Sequence, residues 1–177
     1  MLKYIFSVAL VGVMMALSAC SSTPPAWVKP VQGFDASRYL GKWYEIARLD
    51  HSFERGLSQV SAEYGLRPDG DIQVINRGYQ DEKQAWQQAE GRAKFLGAKD
   101  VGQLQVSFFG PFYGGYNIIE LDRDYQYALV VGNDFDYLWI LARDPNLDTA
   151  TRQRLVDKAR QLGFPVDGLL LVKHGQG

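Results

Sequence analysis

From Tyr39 to Arg143 the chain alternates short apolar runs with turn residues, at a spacing typical of β-strands. Eight such runs follow one another: GKWYEIAR, QVSAEYGL, DIQVINRGY, WQQAEGRAKFLG, LQVSFFGPF, GGYNIIELD, YQYALVVG and YLWILAR. The connections between them are too short to hold a crossover helix, so neighbouring strands must run antiparallel. Such a series can close on itself and remove the exposed edges of the sheet. The pattern therefore predicts an all-β fold, an eight-stranded antiparallel up-and-down β-barrel.

After the eighth run the apolar spacing changes from that of a strand to that of a helix. In the stretch 147–164, Leu155, Ala159 and Leu162 form an apolar stripe. Asp148 is a candidate N-cap, and Gly163 is a candidate C-terminal glycine. A helix with one apolar stripe must cover another surface, so we predict one C-terminal α-helix packed outside the barrel. A final apolar run, 169–173, is expected to add a short strand.

Alternation of polar and apolar residues assigns the faces of three strands. The residues predicted to face the interior are Val60, Ala62, Tyr64, Ala89, Gly91, Ala93, Phe95, Leu104, Val106 and Phe108. Several of these are alanine or glycine, so the interior is expected to be underfilled and able to hold a small molecule. The alternative is that large side chains such as Phe108 and Trp139 fill it. The later strands are apolar on both faces, and alternation leaves their orientation open.

From this pattern we select candidate ligand-cavity residues. They are Ala62, Tyr64, Ala93, Phe95, Val106, Phe108, Tyr113 and Trp139. Tyr113 belongs to an aromatic hairpin, 107–117, that could line a lipid entrance or form the contact of a homodimer. Both interpretations remain open from the sequence.

The N-terminus has the features of a secretory signal. Lys3 precedes an uncharged run, 4–19, that is too short for a comfortable membrane span. The run ends in Leu-Ser-Ala-Cys, which resembles the lipobox of bacterial lipoproteins. That resemblance implies cleavage before Cys20, a lipid on its thiol and acylation of the new amino terminus by a chain such as palmitate. The residue after Cys20 is Ser21 and not aspartate, so the resemblance also implies that the protein is sorted to the periplasmic face of the outer membrane. The alternative is a secreted protein whose Cys20 is incidental.

These features divide the chain into three segments. Residues 1–19 are predicted to be a lipoprotein signal peptide, 20–33 a lipidated Ser/Pro-rich tether, and 34–177 the barrel domain. We expect no second domain, because the barrel and its helix account for the rest of the chain.

Composition excludes several classes of function. Cys20 is the single cysteine, so neither a disulfide nor a cysteine-based metal site is expected. The formal net charge is −1 with no basic run, which speaks against nucleic acid. The two histidines, His51 and His174, are far apart, and no Gly-x-Ser-x-Gly motif occurs. We therefore predict no catalytic residue, no metal and no cofactor. A lipid-modifying enzyme that uses carboxylates and an envelope scaffold with a filled barrel remain as alternatives.

Three stretches resemble the conserved regions of the lipocalins: GKWYEIARLD, LDRDYQYALV and LWILARDP. Together with the lipobox they are similar to the bacterial lipocalins anchored to the outer membrane, relatives of apolipoprotein D. The resemblance implies that Gly41, Trp43 and Arg143 close the narrow end of the barrel. Arg143 is then expected to stack on Trp43 and to donate to backbone carbonyls. The implied function is non-catalytic binding, storage or transport of a fatty acid or lysophospholipid, for membrane maintenance under stress.

The charged residues of the first strand raise a separate question. Glu45 shares the parity of Trp43 and is expected to point inward, with tyrosines as partners and either a structural role or a contact with a ligand head group. The opposite parity predicts that Lys42, Tyr44, Ile46 and Arg48 face the helix and solvent. The long loop 49–56 is expected to fold over the open end as a partial lid.

Overall fold

The computed structural model describes residues 25–175, so the predicted signal peptide and Cys20 lie outside the described residues. Eight strands form the barrel: β1 Gly41–Leu49, β2 Leu57–Leu66, β3 Ile72–Gln80, β4 Ala85–Phe95, β5 Gln103–Phe109, β6 Phe112–Leu121, β7 Tyr127–Val131 and β8 Leu138–Ala142. Each pairs antiparallel with the next, and β1 pairs with both β8 and β2, which closes the sheet. The predicted eight-stranded up-and-down barrel is confirmed.

Shorter elements complete the described chain. These are helix α1 Ala36–Tyr39, helix α2 Thr149–Gln161, a 3₁₀ turn Val166–Gly168 and strand β9 Leu169–Leu171, which pairs with β1. The loops 50–56, 81–84, 110–111 and 132–137 join consecutive strands at one end of the barrel, which we call the open end. Helix α1 lies at the other end, which we call the closed end.

Buried apolar side chains form two groups, one inside the barrel and one between its wall and α2. In β7, Ala128 and Val130 belong to the inner group, while Leu129 and Val131 belong to the outer group. This explains why alternation could not orient the later strands. Their outward residues are as apolar as their inward ones, because α2 covers them.

Helix α2 packs on the barrel through its predicted apolar stripe. Leu155 and Ala159 are fully buried, and the Asp148 carboxylate caps the helix by accepting from the Thr151 amide at 2.9 Å. Gly163 adopts a φ of +95°, which suits the glycine that ends a helix. The predicted helix outside the barrel is therefore present.

The N-terminal segment packs against the barrel sooner than predicted. Trp27 stacks on Phe135 with 4.5 Å between ring centroids and meets Phe164 edge-on at 5.4 Å. Val28 is buried in the outer core, and the Val31 amide donates to the Ile118 carbonyl. Residues 25–33 belong to the predicted Ser/Pro-rich tether, but two apolar side chains within them, Trp27 and Val28, pack against the wall.

Candidate ligand-binding site

The closed end of the barrel is built around Trp43, which is fully buried. The Arg143 guanidinium lies 4.1 Å from the Trp43 ring centroid, so the stacking expected from the resemblance is present. Arg143 also donates to four backbone carbonyls, those of Arg38, Leu40, Lys42 and Tyr125. Gly41 has a φ of +88°, and a Cβ added to it would lie 3.5 Å from Arg143 Nη1. This arrangement joins the start of β1 to the end of β8.

Above Trp43, three tyrosines form the floor of the interior, which we call the lumen. The Tyr116 hydroxyl lies 2.8 Å from those of Tyr39 and Tyr64, and the Tyr39 ring stacks on Trp43 at 4.6 Å. Burial raises the pKa of all three hydroxyls above the ordinary value, so they remain neutral donors and acceptors. The sequence did not indicate Tyr39, which lies in a four-residue helix without strand alternation. Tyr116 belongs to the aromatic hairpin 107–117, expected to line a lipid entrance or form a dimer contact, and the structure places it in the floor.

The walls of the lumen bring together seven of the eight candidate cavity residues. Tyr64 and Ala93 are buried in the inner group, and five others pack against it while keeping exposed surface: Ala62, Phe95, Val106, Phe108 and Trp139. These side chains point inward. An apolar lining over a polar floor is suited to an elongated apolar molecule.

Two of the small residues expected to leave space do not do so. A Cβ at Gly91 would lie 2.8 Å from the Phe108 ring, so that ring occupies the space Gly91 leaves. Ala89 is exposed, because it lies beyond the part of β4, from Arg92 to Phe95, that pairs with β5. Phe108 therefore fills part of the lumen, as the alternative interpretation held.

Tyr113 does not join the lumen. Its ring receives the Lys94 ammonium at 5.3 Å from the centroid and remains 38% exposed. Lys94 faces outward on β4, so Tyr113 lies on the outer surface of the hairpin. The prediction that Tyr113 lines the cavity is therefore wrong. Tyr116 faces inward, and Tyr113, three positions before it, lies on the opposite face of β6 because side chains alternate along a strand.

A buried polar group lies nearer the open end, centred on Arg48. Its Nη1 donates to Glu45 Oε1 at 2.7 Å, and its Nη2 donates to the carbonyls of Glu54 and Leu57 at 2.9 and 3.1 Å. The prediction that Arg48 faces outward is wrong. A β-bulge between Glu45 and Ala47 shifts the register of β1 against β8, so the parity changes within the strand. Glu45 does point inward, but its hydrogen-bond donor is Arg48 and not a tyrosine.

The first loop closes over this polar group as a partial lid. Glu54, on the loop, is only 6% exposed, and its Oε2 accepts from the Trp139 indole N–H at 3.1 Å. The same oxygen lies 3.0 Å from His51 Nε2. Phe53, between them, is 57% exposed on the outer side of the loop. The sequence predicted the lid but not the carboxylate that ties it to the wall.

Electrostatics in this group favour a retained proton. Burial, and then the neighbouring Glu54 carboxylate, raise the pKa of Glu45 well above its ordinary value, against the opposing effect of Arg48. Arg48 Nε is buried without a hydrogen-bond partner among the described residues. Near the mouth of the lumen, the Arg48 guanidinium thus lies beside the Glu45 carboxyl group, and the Glu54 carboxyl group lies close to that of Glu45.

Residues 25–175 contain no group of three or more histidine, cysteine, aspartate or glutamate side chains placed to hold a metal ion. No helix among them is long and apolar enough to cross a membrane. A cleft of about 540 Å³ lies outside the lumen, between the lid loop and the turn after α2, and its lining includes none of the inward-facing residues.

Comparison with known proteins supports the same fold and family. The family model for a lipocalin-like domain matches residues 34–174. The outer membrane lipoprotein Blc of Escherichia coli K12 is 55% identical over 157 residues, covering 88% of this chain and 89% of that protein. The Vibrio cholerae protein of the same name is 48% identical over 169 residues, covering 95% and 98%. Apolipoprotein D of Rattus norvegicus is 34% identical over 148 residues, covering 79% and 74%.

Solved structures agree at the level of the fold. Insecticyanin from the tobacco hornworm Manduca sexta superposes with a TM-score of 0.66 at 21% identity, covering 87% of each chain. The cockroach allergen Per a 4 gives a TM-score of 0.68 at 19% identity, covering 88% of this chain and 97% of the allergen. With its closed barrel, its Trp43–Arg143 contact and these relatives, the chain belongs to the lipocalin family, among the bacterial outer-membrane lipoproteins related to apolipoprotein D.

Proposed function

We propose that this protein binds and carries a lipid amphiphile, a fatty acid or a lysophospholipid, without catalysis. The observation that carries the proposal is the inner wall of the barrel, where inward-facing apolar side chains keep exposed surface, with Val106, Phe108 and Trp139 on the open-end side of the tyrosine floor. An acyl chain fits such a lining, and burial of apolar area contributes about 25 cal/mol per Å². Arg48 and the two carboxyl groups near the mouth stand where the polar end of the ligand would lie.

We also propose that Cys20 carries the lipid anchor and holds the protein at the periplasmic face of the outer membrane. The lipobox supports this, as do relatives named outer membrane lipoproteins. Three acyl chains on one residue give stable anchoring, whereas a single chain binds only marginally. Storage or delivery of lipids for membrane maintenance under stress would follow from such a position.

Lipid binding is tested on protein that starts at Ser21, since residues 25–175 contain the whole barrel. The protein is delipidated in organic solvent, refolded and titrated with a lysophospholipid while tryptophan fluorescence is followed. We expect a saturable change, together with lipid in the extract and a bound mass in native mass spectrometry. No saturable change and no co-purified lipid would favour a filled scaffold.

Two variants assign the fluorescence signal. Trp139 lies in the lumen wall, so Trp139→Phe should lose most of the change while native mass spectrometry still detects the ligand. Trp86 lies on the outer wall beside Arg77, 51% exposed, so Trp86→Phe should keep the signal. An unchanged signal in Trp139→Phe would place the ligand elsewhere. Labelled phospholipid incubated with the same protein tests catalysis, and turnover would contradict a non-catalytic role.

A further inference from the structure

The hairpin between β5 and β6 presents two phenylalanines to solvent at the open end. Phe109 and Phe112 are paired across the hairpin and are 80% and 79% exposed. The stretch 107–117 around them carries no charged residue. Adjacent exposed aromatic rings on an uncharged tip are typical of a surface that meets a partner or a membrane.

The course of the N-terminal segment favours a membrane over a protein partner as the surface that the hairpin meets. Trp27 is held against Phe135, which belongs to loop 132–137 at the open end. Cys20 precedes Trp27 by seven residues, and a fully extended chain of that length reaches about 25 Å. A nine-residue strand such as β1 spans about 30 Å. The described part of the N-terminal segment therefore meets the wall at the open end, within reach of the proposed anchor at Cys20.

We infer that the open end docks on the lipid surface, with Phe109 and Phe112 entering the head-group region. This rests on the proposed function for the anchor and adds an orientation to it. The mouth of the lumen then faces the bilayer, so that an acyl chain passes between lumen and membrane without crossing bulk water. Phe53 on the lid loop lies at the same end and adds a third exposed ring.

The charges at the open end define the kind of lipid surface. Its loops expose more acidic residues than basic ones: Asp50, Asp81, Glu82, Asp134 and Asp136 against Arg55 and Lys83, while Glu54 is buried. Attraction to anionic lipid therefore does not drive this contact, and apolar insertion does. Docking on a zwitterionic bilayer should change little with ionic strength, since salt screens charges and not apolar contacts.

The experiment uses the single cysteine, so that it does not depend on natural lipidation. Protein starting at Cys20 is coupled through its thiol to a maleimide lipid in phosphatidylcholine vesicles that contain acyl-brominated lipid. A tryptophan is introduced by Phe112→Trp, or by Leu66→Trp as the control. Leu66 is 67% exposed at the closed end. The signal of coupled protein without either substitution is subtracted.

We expect bromolipid to quench the tryptophan of Phe112→Trp roughly threefold more than that of Leu66→Trp, because an indole prefers the membrane interface. Equal quenching of the two would overturn the inference. A dimer contact at the hairpin would also overturn it. In that case sedimentation of the uncoupled protein shows a dimer, the double variant Phe109→Ser with Phe112→Ser dissociates it, and bromolipid does not quench Phe112→Trp. The lysophospholipid titration is separate, so loss of docking with retained binding contradicts only the orientation.

Discussion

The Arg48 guanidinium donates a hydrogen bond to the Glu45 carboxyl group inside the barrel, with 2.7 Å between Nη1 and Oε1. They lie three residues apart on one strand, and they share a face because the bulge between them places Ile46 and Ala47 together in the outer core. The carboxyl group of Glu54 joins the pair from the lid loop. The mouth of the lumen thus contains one buried guanidinium and two carboxyl groups.

The raised pKa of Glu45 predicts a pH-dependent stability. The unfolded chain loses this proton near the ordinary pKa of 4.5, whereas the folded protein keeps it to higher pH. The contribution of Glu45 to the free energy of unfolding is therefore complete below pH 4.5 and declines as pH rises through the folded-state pKa. Urea unfolding at several pH values between about 5 and 8 measures this trend.

Glu45→Gln is the matched control, because glutamine keeps the shape and the oxygen that Arg48 binds. The difference in free energy of unfolding, wild type minus variant, should decrease as pH rises. All other ionisable groups are common to both proteins, so their effects largely cancel in that difference. A difference that stays constant or increases with pH would mean that Glu45 is ionised in the folded state.

Removal of Arg48 should destabilise the protein more than removal of the whole pair. Arg48→Met removes the donor to the buried Glu45 carboxyl group and to the Glu54 and Leu57 carbonyls, and a buried polar group left without its partner costs about 1–3 kcal/mol. The double variant Arg48→Met with Glu45→Leu removes the unpaired carboxyl group as well, and should recover at least half of that loss. Urea unfolding at pH 7 compares the three proteins. If the double variant is no more stable than Arg48→Met alone, the carbonyl contacts of Arg48 dominate and not its contact with Glu45.

These residues show where reasoning from the sequence ends. The strand count, the outer helix and the Trp43–Arg143 contact followed from periodicity, short connections and a family signature, each of which is local in the chain. The orientation of Arg48 did not follow, because alternation assumes an unbroken strand and the bulge has no distinct residue type to mark it. Glu54 reaches the lumen only through the fold of the loop, and a polar residue in a loop is normally read as exposed.

The closed end should contribute measurably to stability through Arg143. Its contact with Trp43 and its hydrogen bonds to four carbonyls together predict a loss of roughly 2–4 kcal/mol for Arg143→Ala. Arg143→Lys should recover only part of this, because an ammonium cannot reach four carbonyls and stack at once. Thermal unfolding of the three proteins checks this order. Equal stability of wild type and Arg143→Lys would show that charge alone suffices at this site.

The lumen itself is tested by filling it. Val106 faces inward on β5, while its neighbour Gln105 faces outward, so Val106→Trp and Gln105→Trp place the same indole on opposite sides of one wall. An indole in the lumen should exclude roughly three methylene groups of an acyl chain, and at about 0.8 kcal/mol each this weakens lysophospholipid binding roughly fiftyfold. Gln105→Trp should bind as the wild type does, by native mass spectrometry and calorimetry.

Stability distinguishes an open lumen from a filled one in the same pair of variants. If the space beside Val106 is accessible, Val106→Trp should unfold at nearly the same urea concentration as Gln105→Trp. If the protein's own side chains occupied that space, overpacking would destabilise Val106→Trp by about 1–3 kcal/mol relative to its control. A stable Val106→Trp with full lipid affinity would place the ligand outside the barrel, since the indole and an acyl chain cannot share the same part of the lumen.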